Sequence, residues 1–312
     1  MIFIISSNSW INMWIGLEIN LMSTIPLLYS KNILASEAST KYFIIQAFAS
    51  SIFIFSVISF PMFPSWMMFM NITLMSSLLM KLGMPPFHFW LPEISSGLLW
   101  YENMIMLIIQ KIAPMMIFAY MTVPLIYMSI LIILGAIVSS IQGINQTDMR
   151  KIMAYSSINH MSWMLLSMMK SLNLWMVYFL IYAMISVTVM SLLHSTKTLW
   201  LSNLSKNNKM MMMILSLNIM SMGGLPPMIG FLPKWLAIQL TIKEMMLTTF
   251  ILIILSIIVL FFYMRLTISS FSLINKINNL SMKTSMNFNS LMFSTLMITL
   301  LMYTPLFIEL NL

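Results

Sequence analysis

Residues 66–90 read WMMFMNITLMSSLLMKLGMPPFHFW. Crossing a bilayer core takes roughly 20 apolar residues, and this run is long enough. Lys81 lies deep within it and is followed by Gly83, Pro85 and Pro86. Proline removes a backbone N–H and clashes with the carbonyl four residues earlier, while glycine permits the bend. The stretch therefore predicts a membrane helix interrupted beside a buried lysine. Loose backbone groups at that depth are tolerated only where protein or a polar cavity surrounds them. Residues 222–235, MGGLPPMIGFLPKW, repeat the pattern ahead of Lys234. Broken helices in corresponding positions of two halves point to an ion path.

The rest of the chain agrees. Of 312 residues, 60% are hydrophobic and 7% charged, against about 25% charged in soluble domains. A water-soluble enzyme and a disordered chain are both excluded. Cysteine is absent, which removes disulfides, thiolate metal sites, iron–sulfur ligation and a cysteine nucleophile. Neither glycine-rich nucleotide-binding pattern occurs among the 8 glycines. The net charge of +8 does not indicate nucleic acid, because most of the basic residues sit in short gaps between apolar runs rather than on one face or in one tail. The opening, MIFIISSNSW, has neither a small-residue cleavage site nor an Arg/Ser-rich transit character, so insertion near the place of synthesis is expected. The 40 methionines are read as the codon bias of an AT-rich organellar genome rather than as a binding groove.

Charge, Pro, Asn and Gly divide the chain into about ten runs, near 9–29, 42–60, 66–90, 103–121, 124–142, 151–169, 173–196, 210–240, 246–268 and 288–309. The expected architecture is an all-α polytopic bundle of about ten transmembrane helices plus an N-terminal stub, two of the helices being discontinuous. It forms a single domain over 1–312, with the lipid bilayer as its surroundings. If the connections alternate sides, ten basic residues fall on one side and two, Lys170 and Lys243, on the other. That asymmetry places the first side in the compartment of synthesis.

Four charges do not belong to membrane edges: Glu18, Lys81, Lys111 and Lys234. Each costs about 2.5–3.5 kcal/mol at mid-bilayer on insertion scales, so they must face one another, water or polar backbone. Intramembrane ionisable residues are functional candidates, and the competing reading is a set of ion pairs that fasten helices together. Lys111 repeats the lysine-then-proline theme, with Pro114 three residues on. His160, near the middle of its span among Ser156, Ser157 and Asn159, is either a proton relay or a packing histidine. The three histidines are too scattered for a metal site. Asp148 sits in a loop with Arg150 and Lys151, which leaves a Ser/His/Asp triad unsupported, and Glu37, Glu93 and Glu102 are expected in solvated connections.

Six segments, WIGLEIN (14–20), SEASTKYFIIQAFAS (36–50), LLMKLGMPPFHFW (78–90), QKIAP (110–114), GINQTDMRKIMAYSSINHMSW (143–163) and GGLPPMIGFLPKW (223–235), resemble mitochondrial NADH dehydrogenase subunit 2 in order and content. That family is the antiporter-like subunit of respiratory complex I, in the mitochondrial inner membrane. The resemblance covers roughly 7–240, and beyond it the spans match mainly in hydropathy. It implies that Glu18 pairs with Lys81, that Lys111 is the central lysine, and that Lys234 is the lysine of the second broken helix. It also implies other complex I membrane subunits as partners. NADH, FMN, iron–sulfur clusters and ubiquinone would lie in those partner subunits, with no cofactor and no metal in this chain. The family normally has a complete helix ahead of the WIGLEIN span, where this sequence has MIFIISS. A stand-alone secondary cation/proton antiporter shares the buried Lys and Glu chemistry and is the alternative. A membrane scaffold whose charges only join subunits is a third reading.

Overall fold

The computed structural model describes residues 2–7, 9–30, 32–60, 62, 67–121, 124–201, 209–226 and 228–272. Among these the chain is helical, and it divides into two compact units, Met1–Leu134 and Gly135–Leu312. The expected span at 288–309 lies outside the described residues.

The first unit begins with α1 (Ile2–Ile5), a single turn that packs on α2 (Trp10–Leu28). Ser9 caps α2 by accepting the Asn12 N–H at 3.3 Å, which satisfies a donor that the helix start leaves unpaired. Its centre is α3 (Ile33–Ser59), against which α2, α4 (Met67–Leu82) and α5 (Trp90–Gly97) all pack. α3 starts well before the expected 42. The charged segment around Glu37 and Lys41 reads as a connection, but it continues the helix beyond the apolar stretch, where Lys41 meets Glu93 of α5 at 3.3 Å. Likewise the chain after Trp90 is helical rather than a connection. Pro92 falls in the first turn of α5, where its missing N–H would be unpaired in any case. The unit then runs through α6 (Trp100–Met104), a wide helical turn over Ile105–Ile109, and α7 (Gln110–Ala119), which contacts α2 and α4. The boundary between units falls within α8 (Leu125–Ile144).

In the second unit α9 (Met149–Lys170) is enclosed by its neighbours. Almost every residue from Met149 to Ser167 is buried, and α10 (Leu172–Ser195), α12 (Phe231–Thr241) and α13 (Met246–Ser272) pack on it. Its length of 22 residues would span a membrane, about 33 Å at 1.5 Å per residue. Its serines, Asn159 and His160 would be costly against lipid, so this helix is surrounded by protein. The lipid-compatible helices are others: among the described residues six are long and apolar enough to cross, including α2, α3, α8, α10 and α13. α11 (Lys209–Gly223) packs against α10 and α13.

Four contacts bear on the parity of the connections, and each joins connections expected on one side. Lys41 meets Glu93. Asp148 forms a backbone bridge with Trp200. The Arg265 guanidinium donates to the carbonyls of Ile144 and Gln146 at 2.5 and 2.8 Å. On the opposite side Lys170 meets Glu244 at 2.5 Å.

Candidate functional site

Both expected breaks are present, and both end on a left-handed glycine. α4 stops at Gly83 (φ 69°) and α11 at Gly224 (φ 76°), a conformation that costs a side-chain-bearing residue roughly 1–2 kcal/mol. At the first break the Gly83 N–H donates to the Met80 carbonyl at 3.2 Å and the Met84 N–H to the Leu79 carbonyl at 3.0 Å, which closes the helix end in a Schellman turn. Side chains add two more hydrogen bonds at that end, one to the Met80 carbonyl already bonded by Gly83 and one to the carbonyl of Lys81. The Trp90 indole N–H donates to Met80 at 3.1 Å, and the Gln46 amide to Lys81 at 3.3 Å. The break is thus a built structure whose polar groups are satisfied by α3 and α5.

Lys81 lies in the last turn of α4 and is 6% exposed. Glu18, half-buried on α2, is close enough for its charge to act on Lys81, although the two make no direct ion pair.

Lys111 is 2% exposed at the start of α7. The backbone on both sides of it is irregular. Before it, the Gln110 N–H reaches back five residues to the Ile105 carbonyl, a widening frequently found at functional sites. After it, Pro114 lacks the N–H that would bond the Gln110 carbonyl. The Gln110 side chain is held instead, its Oε1 accepting from Asn20 Nδ2 at 2.6 Å and from the Tyr42 hydroxyl at 3.4 Å.

In the second unit Lys234, on the far side of its break, reaches back to the preceding half-helix. Its Nζ donates to the Gly223 carbonyl at 2.9 Å, so an ammonium caps the negative end of α11. Lys234 is 6% exposed, and α12 packs on α9, which carries His160. His160 is buried, shares a 3.1 Å hydrogen bond between Nδ1 and the Tyr178 hydroxyl, and lies with its ring 5.0 Å from that of Tyr182. Among the described residues no group of three or more His, Asp and Glu side chains is placed to hold a metal ion.

Residues 7–260 match the model of the NADH:quinone oxidoreductase/Mrp antiporter transmembrane family. The chain belongs to that family. It is 45% identical to NADH-ubiquinone oxidoreductase chain 2 of Anopheles gambiae over 93% of this chain and 87% of the relative. It is 40% identical to the protein of that name from Locusta migratoria, over 92% and 86%. Its fold superposes on a chain of respiratory complex I from Thermus thermophilus with a TM-score of 0.86 at 19% identity, covering 97% of this chain and 75% of that one. An archaeal membrane-bound sulfane sulfur reductase superposes with a TM-score of 0.82 at 16% identity, over 98% and 71%. At such identities the likeness is one of fold.

The family match includes all five candidate residues. Glu18, Lys81 and Lys111 belong to the first unit, Lys234 and His160 to the second. The neutral groups beside Lys81 and Lys111 carry no charge to mark them: Asn20 and Tyr42 bond Gln110, and Gln46 bonds the Lys81 carbonyl. Asn20 and Tyr42 lie within two of the family-like segments, and Tyr42 and Gln46 are four residues apart on one face of α3, a spacing that marks a polar stripe. The widened turn before Gln110 has no sequence signal. Glu102 is a correction. It is 9% exposed rather than solvated, and its Oε2 accepts the Leu99 N–H at 2.9 Å, closing the start of α6.

Proposed function

We propose that this chain is a proton-translocating membrane subunit of NADH:ubiquinone oxidoreductase, in the mitochondrial inner membrane among the other membrane subunits of respiratory complex I, with 1–312 acting as one antiporter-like domain. The observation that carries the reading is that three lysines are buried at apolar depth, each where the helical ladder is interrupted: Lys81 before Gly83, Lys111 after the widened turn, Lys234 after Gly224. The family and the names of the relatives support the assignment to the complex.

Protons are carried on Lys81, Lys111 and Lys234, with Glu18 as the carboxylate that biases Lys81 and His160 as a further relay in the second unit. Burial disfavours an ammonium and a nearby carboxylate favours it. A change in Glu–Lys separation therefore loads or releases a proton, and the broken helices supply segments with two arrangements. Lys234 can hold its proton against the Gly223 carbonyl and give it up as α12 moves relative to α11. Redox chemistry with NADH, FMN, iron–sulfur clusters and ubiquinone belongs to partner subunits. A stand-alone cation/proton antiporter is the second reading, since the matched family takes in Mrp antiporters as well as NADH:quinone oxidoreductase.

Lys111 tests the assignment. Lys111→Ala removes the titrating group, whereas Lys111→Arg keeps the charge but hardly ever deprotonates. Both variants should assemble and both should lose proton uptake and quinone-linked NADH oxidation, measured together in membranes. Normal pumping in Lys111→Arg would leave Lys111 a fixed electrostatic or packing element. Loss of assembled complex in both would favour the scaffold.

A further inference from the structure

The helical ladder does not fix the direction of the Lys111 segment. The i→i+5 bond at Gln110 widens the turn before it, and Pro114 removes the rung after it. A helix interrupted on both sides can rotate or bend about Lys111 unless side chains hold it. The Gln110 amide oxygen supplies that hold by accepting from two helices at once, from Asn20 on α2 and from Tyr42 on α3.

These two donors belong to longer stripes. On α2, Thr24 lies one turn beyond Asn20, buried, with its hydroxyl donating to the Leu21 carbonyl at 2.9 Å. On α3, Gln46 lies one turn beyond Tyr42 and donates to the Lys81 carbonyl at the end of α4. The Tyr42 ring also packs against Trp90, centroids 6.1 Å apart, and the Trp90 indole binds the Met80 carbonyl of the same end. One face of α3 therefore touches both interrupted elements of the first unit: the broken end that bears Lys81 and the turn that bears Lys111. Tyr42, Gln46 and Gln110 are buried, and none carries a charge.

We infer that Gln110 and Tyr42, with Asn20 as the second donor, are positioning residues for proton transfer at Lys111, and that α3 couples the orientation of Lys111 to the broken end at Lys81. The inference rests on the proposed proton-carrying role of Lys111. When α4 and α5 shift at their break, Gln46 and Trp90 move with the Met80 and Lys81 carbonyls, and Tyr42 transmits the displacement to Gln110. No bond other than hydrogen bonds changes.

The experiment uses the complete complex in its membrane, with Tyr42→Phe, Gln110→Met, the double variant, and Lys111→Ala in parallel. Tyr42→Phe keeps the ring against Trp90 and removes only the hydroxyl. Each single variant should assemble normally and bind quinone with unchanged KM. Turnover per assembled complex, and protons moved per NADH, should fall about three- to tenfold, what losing the orientation supplied by one ordinary hydrogen bond gives. The double variant should be no worse than the poorer single one, because Tyr42 acts through Gln110. If Gln110→Met fails to assemble, Asn20→Leu removes the other donor to the same oxygen and should give the same kcat loss. Wild-type turnover in Tyr42→Phe and Gln110→Met beside an inactive Lys111→Ala would overturn the positioning role alone. Independent, multiplicative losses in the double variant would overturn it too. Normal turnover in Lys111→Ala would bring down the proton-carrying role and this inference with it.

Discussion

At the scale of single residues, the second break depends on atoms that cannot be enlarged. A methyl group on Gly230 would stand 1.7 Å from the Ser221 carbonyl oxygen, a backbone atom on the far side of the break. Gly224 is held at φ 76°, and a Cβ there would approach Lys234 Nζ to 3.2 Å. At Gly223 the nearest atoms to an added Cβ are Tyr263 Cδ2 at 3.4 Å and Leu260 Cγ at 3.8 Å, ordinary contact distances. Gly230→Ala should therefore displace α12 from α11, at a cost of about 1–3 kcal/mol or more, as overpacking does. It should lower the amount of assembled complex and its temperature of inactivation, while Gly223→Ala should leave both near wild type. Native gels of membranes from the two variants, run with thermal inactivation curves, make the comparison. Equal behaviour of the two would show that the tight approach of Gly230 to Ser221 is not needed.

At the scale of elements, the half-helices after each break are tied at one end by an exposed ion pair. Glu93 of α5 meets Lys41 of α3, and Glu244, just beyond α12, meets Lys170 at the end of α9. Side-chain exposures of 56% and 61% in the first pair and 36% and 56% in the second place both in high dielectric. Such pairs contribute about 0–1 kcal/mol and weaken with salt. Lys41→Met and Glu244→Gln should consequently assemble and turn over within about twofold of wild type, a change the same small free energy allows. Turnover and inactivation temperature across a salt series are the measurements. A loss like that of Lys111→Ala in either variant would make the pair part of the proton machinery rather than a surface tie.

At the scale of the whole molecule, the four same-side contacts fit the alternation of connections, and with the proposed mitochondrial location the positive-inside bias predicts that the Arg150–Lys151 side faces the matrix. Because the chain has no cysteine, single introduced thiols can be labelled without background from the chain itself. Asn145, exposed after α8, and Asn173, exposed near the start of α10, lie at opposite ends of α9. Asn145→Cys should react from the matrix side and Asn173→Cys from the intermembrane side, tested with an impermeant maleimide on mitoplasts and inverted vesicles. Labelling of both from one side would overturn the parity.

Composition and the Lys-Gly-Pro stretches were sufficient for the helical class, the membrane environment, both breaks and the buried charges. These are local consequences of chain chemistry: apolar length, a missing N–H, a residue able to adopt positive φ, and a cation set within an apolar run. The helix through Glu37 and Lys41 and the short α5 were not legible, because charge and proline mark a connection unless neighbours extend the helix past the membrane edge. Nor was the widened turn at Ile105–Ile109, since an i→i+5 bond leaves no residue signature. Tertiary structure alone decided which neutral side chains meet: Gln46 on the Lys81 carbonyl, Tyr42 and Asn20 on Gln110, Tyr178 on His160. Such partners lie as many as 90 positions apart in the chain, and only the packing of α2, α3 and α7, and of α9 on α10, brings them within hydrogen-bonding distance.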